Sequence, residues 1–211
     1  MFTKALLPDT IRALKLVSQI DIVKKSYLAR GTALALHMGH RISVDLDFFT
    51  QEIFDEKTLS GGLKQLPQYK EEGTAWRTVW GKVGKTKFSL FYYEYTLIKK
   101  TDTFEGIQIL QKEDIAAMKI HAIEDRGTKR DFVDLYFLAK EFPMEQMLRF
   151  YDQKYGTLKD HLYIILRSLN YFTDAEKEDT NPKMLVPVSW EEVKKFFQVE
   201  CIKLAQNKLK I

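Results

Sequence analysis

Cysteine occurs once in the 211 residues, at Cys201, which excludes an internal disulfide and any cysteine-cluster zinc site. Histidine is almost as scarce, with four in the chain. His37, His121 and His161 lack metal-ligand spacing with one another and read as surface or core residues. Long hydrophobic runs are missing too: the longest reach about five or six residues, against the roughly 20 that a membrane-spanning helix needs. Met1 to Thr10, which contains Lys4, Pro8 and Asp9, has no signal-peptide core. These absences set the expectation of a soluble, cytoplasmic protein with no membrane partner. Charge of one sign is also weak. Lys and Arg total 33 against 29 Asp and Glu, a formal charge of +4. The whole excess lies in residues 1–110 (16 against 12), while residues 111–211 carry 17 of each. Such a bias permits a polyanionic ligand but is weaker than the footprint of a dedicated DNA-binding domain. No internal repeat or low-complexity segment is present.

What is there is ordinary globular composition, 45% hydrophobic and 29% charged, over a length that can bury a real core. The pattern changes near residue 110. Before it, short β-type segments alternate with helical ones; after it, nearly everything reads as helix. Ile11 to Val23 has helical apolar spacing, and a short helix over Ala33 to Met38 should stop at Gly39. Ile42 to Phe49 alternates, with Val44, Leu46 and Phe48 to one face and Ser43, Asp45 and Asp47 to the other. Gln51 to Tyr69 reads as a helix interrupted by Gly61-Gly62. Trp76 to Trp80 and Lys87 to Tyr95 read as strands of an antiparallel hairpin around the turn formers Gly81 and Gly84. In the second half, helices are expected from Glu113 to about Arg126, from Lys129 to Lys140, and over Met144–Tyr155, Leu158–Tyr171 and Ser189–Lys208. Ser189 and Glu192 supply a capping box for the last. The acidic run Asp174 to Asp179 reads as a solvated loop.

The chemistry is concentrated in Gly31-Thr32, followed twelve residues later by Asp45-Leu46-Asp47. Residues two apart on a strand share a face, so two carboxylates can converge on divalent ions. Mg²⁺ is satisfied by one or two carboxylates plus the phosphates of a nucleotide. Gly31 lets backbone approach a phosphate, and Thr32 places a hydroxyl at an anion-favouring helix N-terminus. Either element alone fits a solvated strand face or an ordinary helix start; the two in this order form a rarer pattern.

The run Arg30-Gly31-Thr32-Ala33-Leu34-Ala35-Leu36, with Gly39-His40-Arg41-Ile42-Ser43-Val44-Asp45-Leu46-Asp47-Phe48-Phe49, resembles the AbiEii/AbiGii type IV toxin-like nucleotidyltransferases, of the DNA polymerase beta-like superfamily. A second block carries the same resemblance: Asp114-Ile115-Ala116-Ala117-Met118-Lys119, then Ala122 and Arg126-Gly127-Thr128-Lys129-Arg130-Asp131-Phe132-Val133-Asp134-Leu135. Together they cover most of residues 25–140. The resemblance implies an α+β fold, a nucleotidyltransferase-type mixed sheet flanked by helices (residues 1–110). A C-terminal helical domain (111–211) is implied to complete the active-site cleft. The implied activity is transfer of a nucleotide from a bound NTP to an acceptor hydroxyl, side chain or phosphate, with Mg²⁺ as cofactor, two ions in number.

By the same resemblance, Gly31 and Thr32 hold the phosphates, Asp45 and Asp47 bind the metal, Lys119 contacts the triphosphate, and Asp131 is a further acid with Asp134 close by. Lys119 and Arg126 share a helix face at i and i+7 and can address one polyanion together. Asp131 and Asp134 have an alternative as structural partners of Arg126 or Arg130 across Gly127. Arg41 is placed either to reach a phosphate or to pair locally. One departure stands out: Ser89 occupies the strand position where the superfamily usually has a third carboxylate. Glu94 is the remaining acid nearby, though of opposite facing parity, and Asp131 is the more attractive substitute. Trp76, Trp80, Phe88, Phe91, Tyr92, Tyr93 and Tyr95 read as sheet packing, with base stacking as the alternative. The resemblance also implies a toxin role, a separately encoded antitoxin, and RNA such as tRNA as acceptor. Two other readings stay open: a weak or inactive nucleotide- or RNA-binding module on a degenerate transferase fold, and an interaction protein with a vestigial cleft.

Overall fold

The computed structural model describes residues 1–177 and 181–208. Contacts divide the chain into two units, Met1–Gln111 and Lys112–Ile211.

The first unit opens with a short 3₁₀ turn (Thr3–Ala5) and two helices, α1 (Pro8–Val17) and α2 (Asp21–Lys25). The single helix expected over Ile11–Val23 is thus two, parted at Ser18–Ile20. After β1 (Tyr27–Leu28) comes α3 (Arg30–Met38), ended by Gly39 at φ +63°, whose N–H closes on the Ala35 carbonyl at 2.8 Å. Only glycine suits this stop: the conformation is left-handed, and a Cβ there would lie 2.6 Å from the Phe2 ring. The strand β2 (Leu46–Thr50) is shorter than the alternation suggests. Val44 is 38% exposed and outside it, and Ser43 instead bridges Leu6, its N–H on the Ala5 carbonyl. Over Leu46–Phe48 the side chains do alternate as expected, with Leu46 and Phe48 fully buried and Asp47 half-buried, while Phe49 and Thr50 beyond them are both buried.

The segment Gln51–Tyr69 differs more. Only α4 (Glu56–Leu63) is helical, capped by the Asp55 carboxylate on the Thr58 N–H at 2.7 Å, and Gly61-Gly62 lie inside it rather than breaking it. Tyr69 begins β3 (Tyr69–Ala75), which pairs antiparallel with β4 (Thr78–Val83). Trp76 and Arg77 form the turn between them, so Trp76 is 74% exposed, its ring edge-on to that of Tyr92 at 6.0 Å instead of buried under the sheet. The hairpin of β4 with β5 (Thr86–Tyr92) is present and antiparallel, turning at Gly84-Lys85. Gly81, expected in that turn, is within β4, where a Cβ would meet the Lys70 carbonyl at 2.4 Å. Two short strands, β6 (Asp102–Phe104) and β7 (Ile107–Ile109), complete a seven-stranded sheet in the order β3-β4-β5-β2-β1-β7-β6. It is mixed: β2 runs parallel to β5, and β1 parallel to β7, while the other neighbours are antiparallel. Leu28, Leu46, Phe48, Phe88, Leu90 and Ile109 are fully buried in its centre.

The second unit is helical: α5 (Lys112–Asp125), α6 (Lys129–Leu138), α7 (Met144–Tyr155), α8 (Leu158–Leu169), α9 (Thr173–Glu176) and α10 (Trp190–Lys208). Gly127-Thr128 separates α5 from α6, and Ser189 Oγ accepts the Glu192 N–H at the start of α10. Of the acidic run thought to be loop, Asp174 to Glu176 lie in α9, and residues 178–180 lie outside the described residues. The core gathers around Phe132, which meets Phe172, Trp190 and Phe197 at centroid distances of 5.2, 5.9 and 5.4 Å. An unforeseen ion pair is buried in the same unit: Lys154 Nζ on α7 donates to Asp114 Oδ1 on α5 at 2.8 Å, both side chains fully buried.

Candidate functional site

In the first unit the chemistry-bearing residues meet where α3 leaves β1. Ala29 is extended, and its N–H donates to the Asp47 carbonyl at 3.0 Å. Thr32 turns a buried hydroxyl back onto the same segment. Its Oγ1 lies 2.8 Å from Ser43 Oγ and donates to the main-chain carbonyl of Asp45. Having given its one proton to that carbonyl, Thr32 is the acceptor of the Ser43 hydroxyl. The first turn of α3, which begins with the N–H groups of Gly31 and Thr32, is therefore fastened to residues 43–47, the segment that carries the half-buried Asp45 and Asp47. Those first-turn donors have no partner within the helix itself. The Thr32 side chain positions Asp45, which leaves its backbone rather than its hydroxyl to meet an anion.

Arg30, which sequence reasoning passed over, belongs to this group. It starts α3 at φ +54°, a left-handed conformation that costs an L-residue about 1–2 kcal/mol. Its guanidinium lies over the rings of Phe49 (5.0 Å) and Phe91 (5.1 Å), which themselves stack 5.1 Å apart. One Nη is 3.8 Å from Asp47 Oδ1. Neither periodicity nor composition registers a backbone angle, so the sequence offered no signal for it.

The neighbouring strand decides the charge of the group. In the parallel register of β2 with β5, Asp47 is directly opposite Ser89, and both are half-buried. Glu94 lies exposed beyond the end of β5, its carbonyl receiving the Gln51 amide at 3.3 Å. Arg41 is buried, with Nη1 donating to the Ile42 carbonyl at 3.1 Å. His37 Nε2 bonds the Leu110 carbonyl at 2.9 Å. Among the described residues no three His, Cys, Asp or Glu side chains gather as a metal-binding group. The donor set for a cation here is two carboxylates, one of them touched by an arginine. That suits Mg²⁺ sharing its shell with nucleotide phosphates and water, and does not suit a cation held by protein alone.

The second unit holds the other predicted residues in one charge cluster. Lys119 Nζ sits between Asp131 Oδ1 (2.8 Å) and Asp134 Oδ2 (2.6 Å), all three side chains buried. The second oxygen of Asp131 receives the Thr128 hydroxyl at 2.6 Å and Arg126 Nε at 3.2 Å. Thr128 caps α6 by accepting the Asp131 N–H, so the turn at Gly127 (φ +54°) brings Arg126 and Asp131 together. Burial pushes the Asp131 carboxyl pKa up; the charges of Lys119 and Arg126 and the hydrogen bonds of Lys119 and Thr128 outweigh it and hold it at about 2. The ion pair foreseen between Asp131 and Arg126 is made, and Lys119 is part of it.

Residues 92–198 match the family described as "Nucleotidyl transferase AbiEii toxin, Type IV TA system". A protein of Aquifex aeolicus (strain VF5), aq_aa25, of uncharacterized function, is 35% identical over 204 residues, covering 92% of this chain and 95% of its own. Two solved structures share the fold. A candidate nucleotidyltransferase of H. pylori is 19% identical over 97% of this chain and 98% of its own, with a TM-score of 0.53. The nucleotidyltransferase toxin MenT4 of Mycobacterium tuberculosis is 15% identical over 96% of this chain and 85% of its own, with a TM-score of 0.59.

Proposed function

Because the chain belongs to the AbiEii nucleotidyl transferase toxin family of type IV toxin–antitoxin systems, and is thereby a nucleotidyltransferase, we propose that it moves a nucleotide from an NTP to an acceptor with Mg²⁺ at Asp45 and Asp47. One observation carries the assignment: the Thr32 hydroxyl on the Asp45 carbonyl, which fastens a helix N-terminus to the acid-bearing segment. Phosphates are anions that helix N-termini favour, and the carboxylates next to them draw the cation that accompanies a triphosphate. Mg²⁺, two ions in the superfamily's scheme, would supply charge neutralisation to the attacked phosphate and the departing pyrophosphate. The protein's own part is to fix the acids, offer the Gly31 and Thr32 N–H groups, and exclude other geometries by the rigidity of α3 on β2. Lys119 as a triphosphate contact and Asp131 as a further acid are carried as proposals from the resemblance, Arg126 from the helix face it shares with Lys119, and Arg41 from its place before the acid-bearing segment. So are an RNA acceptor such as tRNA, a separately encoded antitoxin, and a cytoplasmic location. Among the described residues no helix is long and apolar enough to cross a membrane.

Incubation with labelled NTPs, Mg²⁺ and total cellular RNA tests the reading, and a labelled acceptor that disappears in Asp45→Ala/Asp47→Ala is the expected result. Label transfer undiminished in that variant would remove both acids from the mechanism. A second reading, a nucleotide-binding module that transfers slowly or not at all, is favoured by Ser89 opposite Asp47. Saturable NTP binding without any labelled acceptor would support it.

A further inference from the structure

We propose that Arg30 is a nucleotide-phosphate ligand that guards Asp47: it offsets the charge of the carboxylate and turns its donors to a phosphate when an NTP arrives. The proposal rests on the reading of Asp45 and Asp47 as the acids of the nucleotide site. It adds a residue to that reading and a way of regulating cation access.

Three observations converge on the arginine. Its backbone holds φ +54°, a conformation native to glycine, and a strained residue persists only where its surroundings fix it. What fixes it is a stack on Phe49 and Phe91, at 5.0 and 5.1 Å, which presents the flat guanidinium beside the first turn of α3. Its distance to Asp47 is 3.8 Å, close enough to offset the field of the carboxylate but longer than a hydrogen bond. The fork is held by rings and only loosely by the acid, and its side chain is about one-third exposed. Planar donors held this way match the paired oxygens of a phosphate, which offers stronger charge-assisted bonds than Asp47 does at that distance. In the sheet Asp47 faces Ser89, a neutral side chain, so no second acid on β5 competes with it for the guanidinium. Bare Mg²⁺ then competes with Arg30 for Asp47, whereas Mg²⁺ arriving with a triphosphate brings the anion that draws Arg30 away.

The experiment titrates the intact protein, Arg30→Gly and Arg30→Lys with ATP, CTP, GTP and UTP in EDTA and in Mg²⁺. Thermal melts in Mg²⁺ alone accompany the titrations. Glycine accepts the φ, so Arg30→Gly keeps the fold. Expected are measurable binding of one NTP by wild type in EDTA, its weakening by about tenfold or more in Arg30→Gly, and partial recovery in Arg30→Lys. Mg²⁺ alone should raise the melting temperature of Arg30→Gly more than that of wild type. Equal NTP binding by wild type and Arg30→Gly, with binding intact in Mg²⁺, overturns the role of Arg30 and leaves the nucleotide site standing. No binding of any NTP by wild type in Mg²⁺ overturns both.

Discussion

Ser89 stands opposite Asp47 in the parallel register of β5 with β2, so a carboxylate at position 89 would enter the same patch of sheet as Asp47, two residues along the chain from Asp45. Ser89→Asp should therefore convert a two-acid site into a three-acid one. In the absence of cation the added charge meets Asp47 across adjacent strands, and like charges placed opposite one another destabilise a sheet. With Mg²⁺ that penalty should reverse into a gain. The check is a melting curve with and without Mg²⁺: the variant melts below wild type in EDTA and shows the larger Mg²⁺-induced rise. Label transfer by the variant should increase if the serine is what slows it.

Removing the hydroxyl of Thr32 should act at a distance from the chemistry. Thr32→Val keeps the volume but leaves the Asp45 carbonyl and the Ser43 hydroxyl without the partner they share. Losing one member of a buried hydrogen bond costs about 1–3 kcal/mol. Urea unfolding should show that loss, and NTP turnover should fall as well because Asp45 is no longer held to α3. An unchanged urea midpoint would mean that the hydroxyl positions nothing.

How much of this could be read in the chain depended on length and burial. Helices of ten or more residues in the second unit announce themselves, and α7 has the expected bounds of Met144 and Tyr155. Gly39 and the Gly127-Thr128 break were legible because a stop needs particular residues. The sheet was less so. Strands of two or three residues, such as Tyr27–Leu28 and Ile107–Ile109, carry no period to detect. Tyr69–Ala75 pairs on one side only, with five polar or glycine positions in seven, and so reads as anything but a strand. At the site, Asp45, Asp47, Gly31 and Thr32 were visible as a motif, and Ser89 as a departure from one. The interactions that define the geometry were not: Arg30 on two phenylalanine rings and Lys119 between two aspartates depend on register and backbone angle.

Acid should loosen the helical unit through Asp131. Its folded pKa of about 2 lies below the ordinary 3.8, so the folded state resists protonation. The stabilisation is complete above about pH 4, falls as pH drops from 4 towards 2, and is gone below that. Its size is about 2 kcal/mol by linkage, an order-of-magnitude figure for a buried group among several charges. Urea midpoints measured from pH 5 to pH 2 should show a downward slope in wild type. The slope should shrink in Asp131→Asn, which has no proton to gain. Identical slopes would locate the acid sensitivity elsewhere.

Lys119 gives the sharpest test of what the buried cluster is for. Its ammonium is the cation that Asp131 and Asp134 share at 2.8 and 2.6 Å, while Arg126 reaches only the outer oxygen of Asp131. Lys119→Met fills the same space without charge and leaves two carboxylates buried against each other. Breaking a buried pair on one side costs about 3–5 kcal/mol, because the buried carboxylates lose the ammonium they share and Arg126 answers one oxygen of Asp131 alone. Unfolding by urea should therefore begin far earlier in Lys119→Met. Replacing the acids too, as Lys119→Met/Asp131→Asn/Asp134→Asn, should recover much of the loss, since no charge is then stranded. A triple variant that regains stability yet transfers no label would assign Lys119 or the acids a part in the reaction beyond holding α5 to α6. One that regains both would confine the cluster to folding.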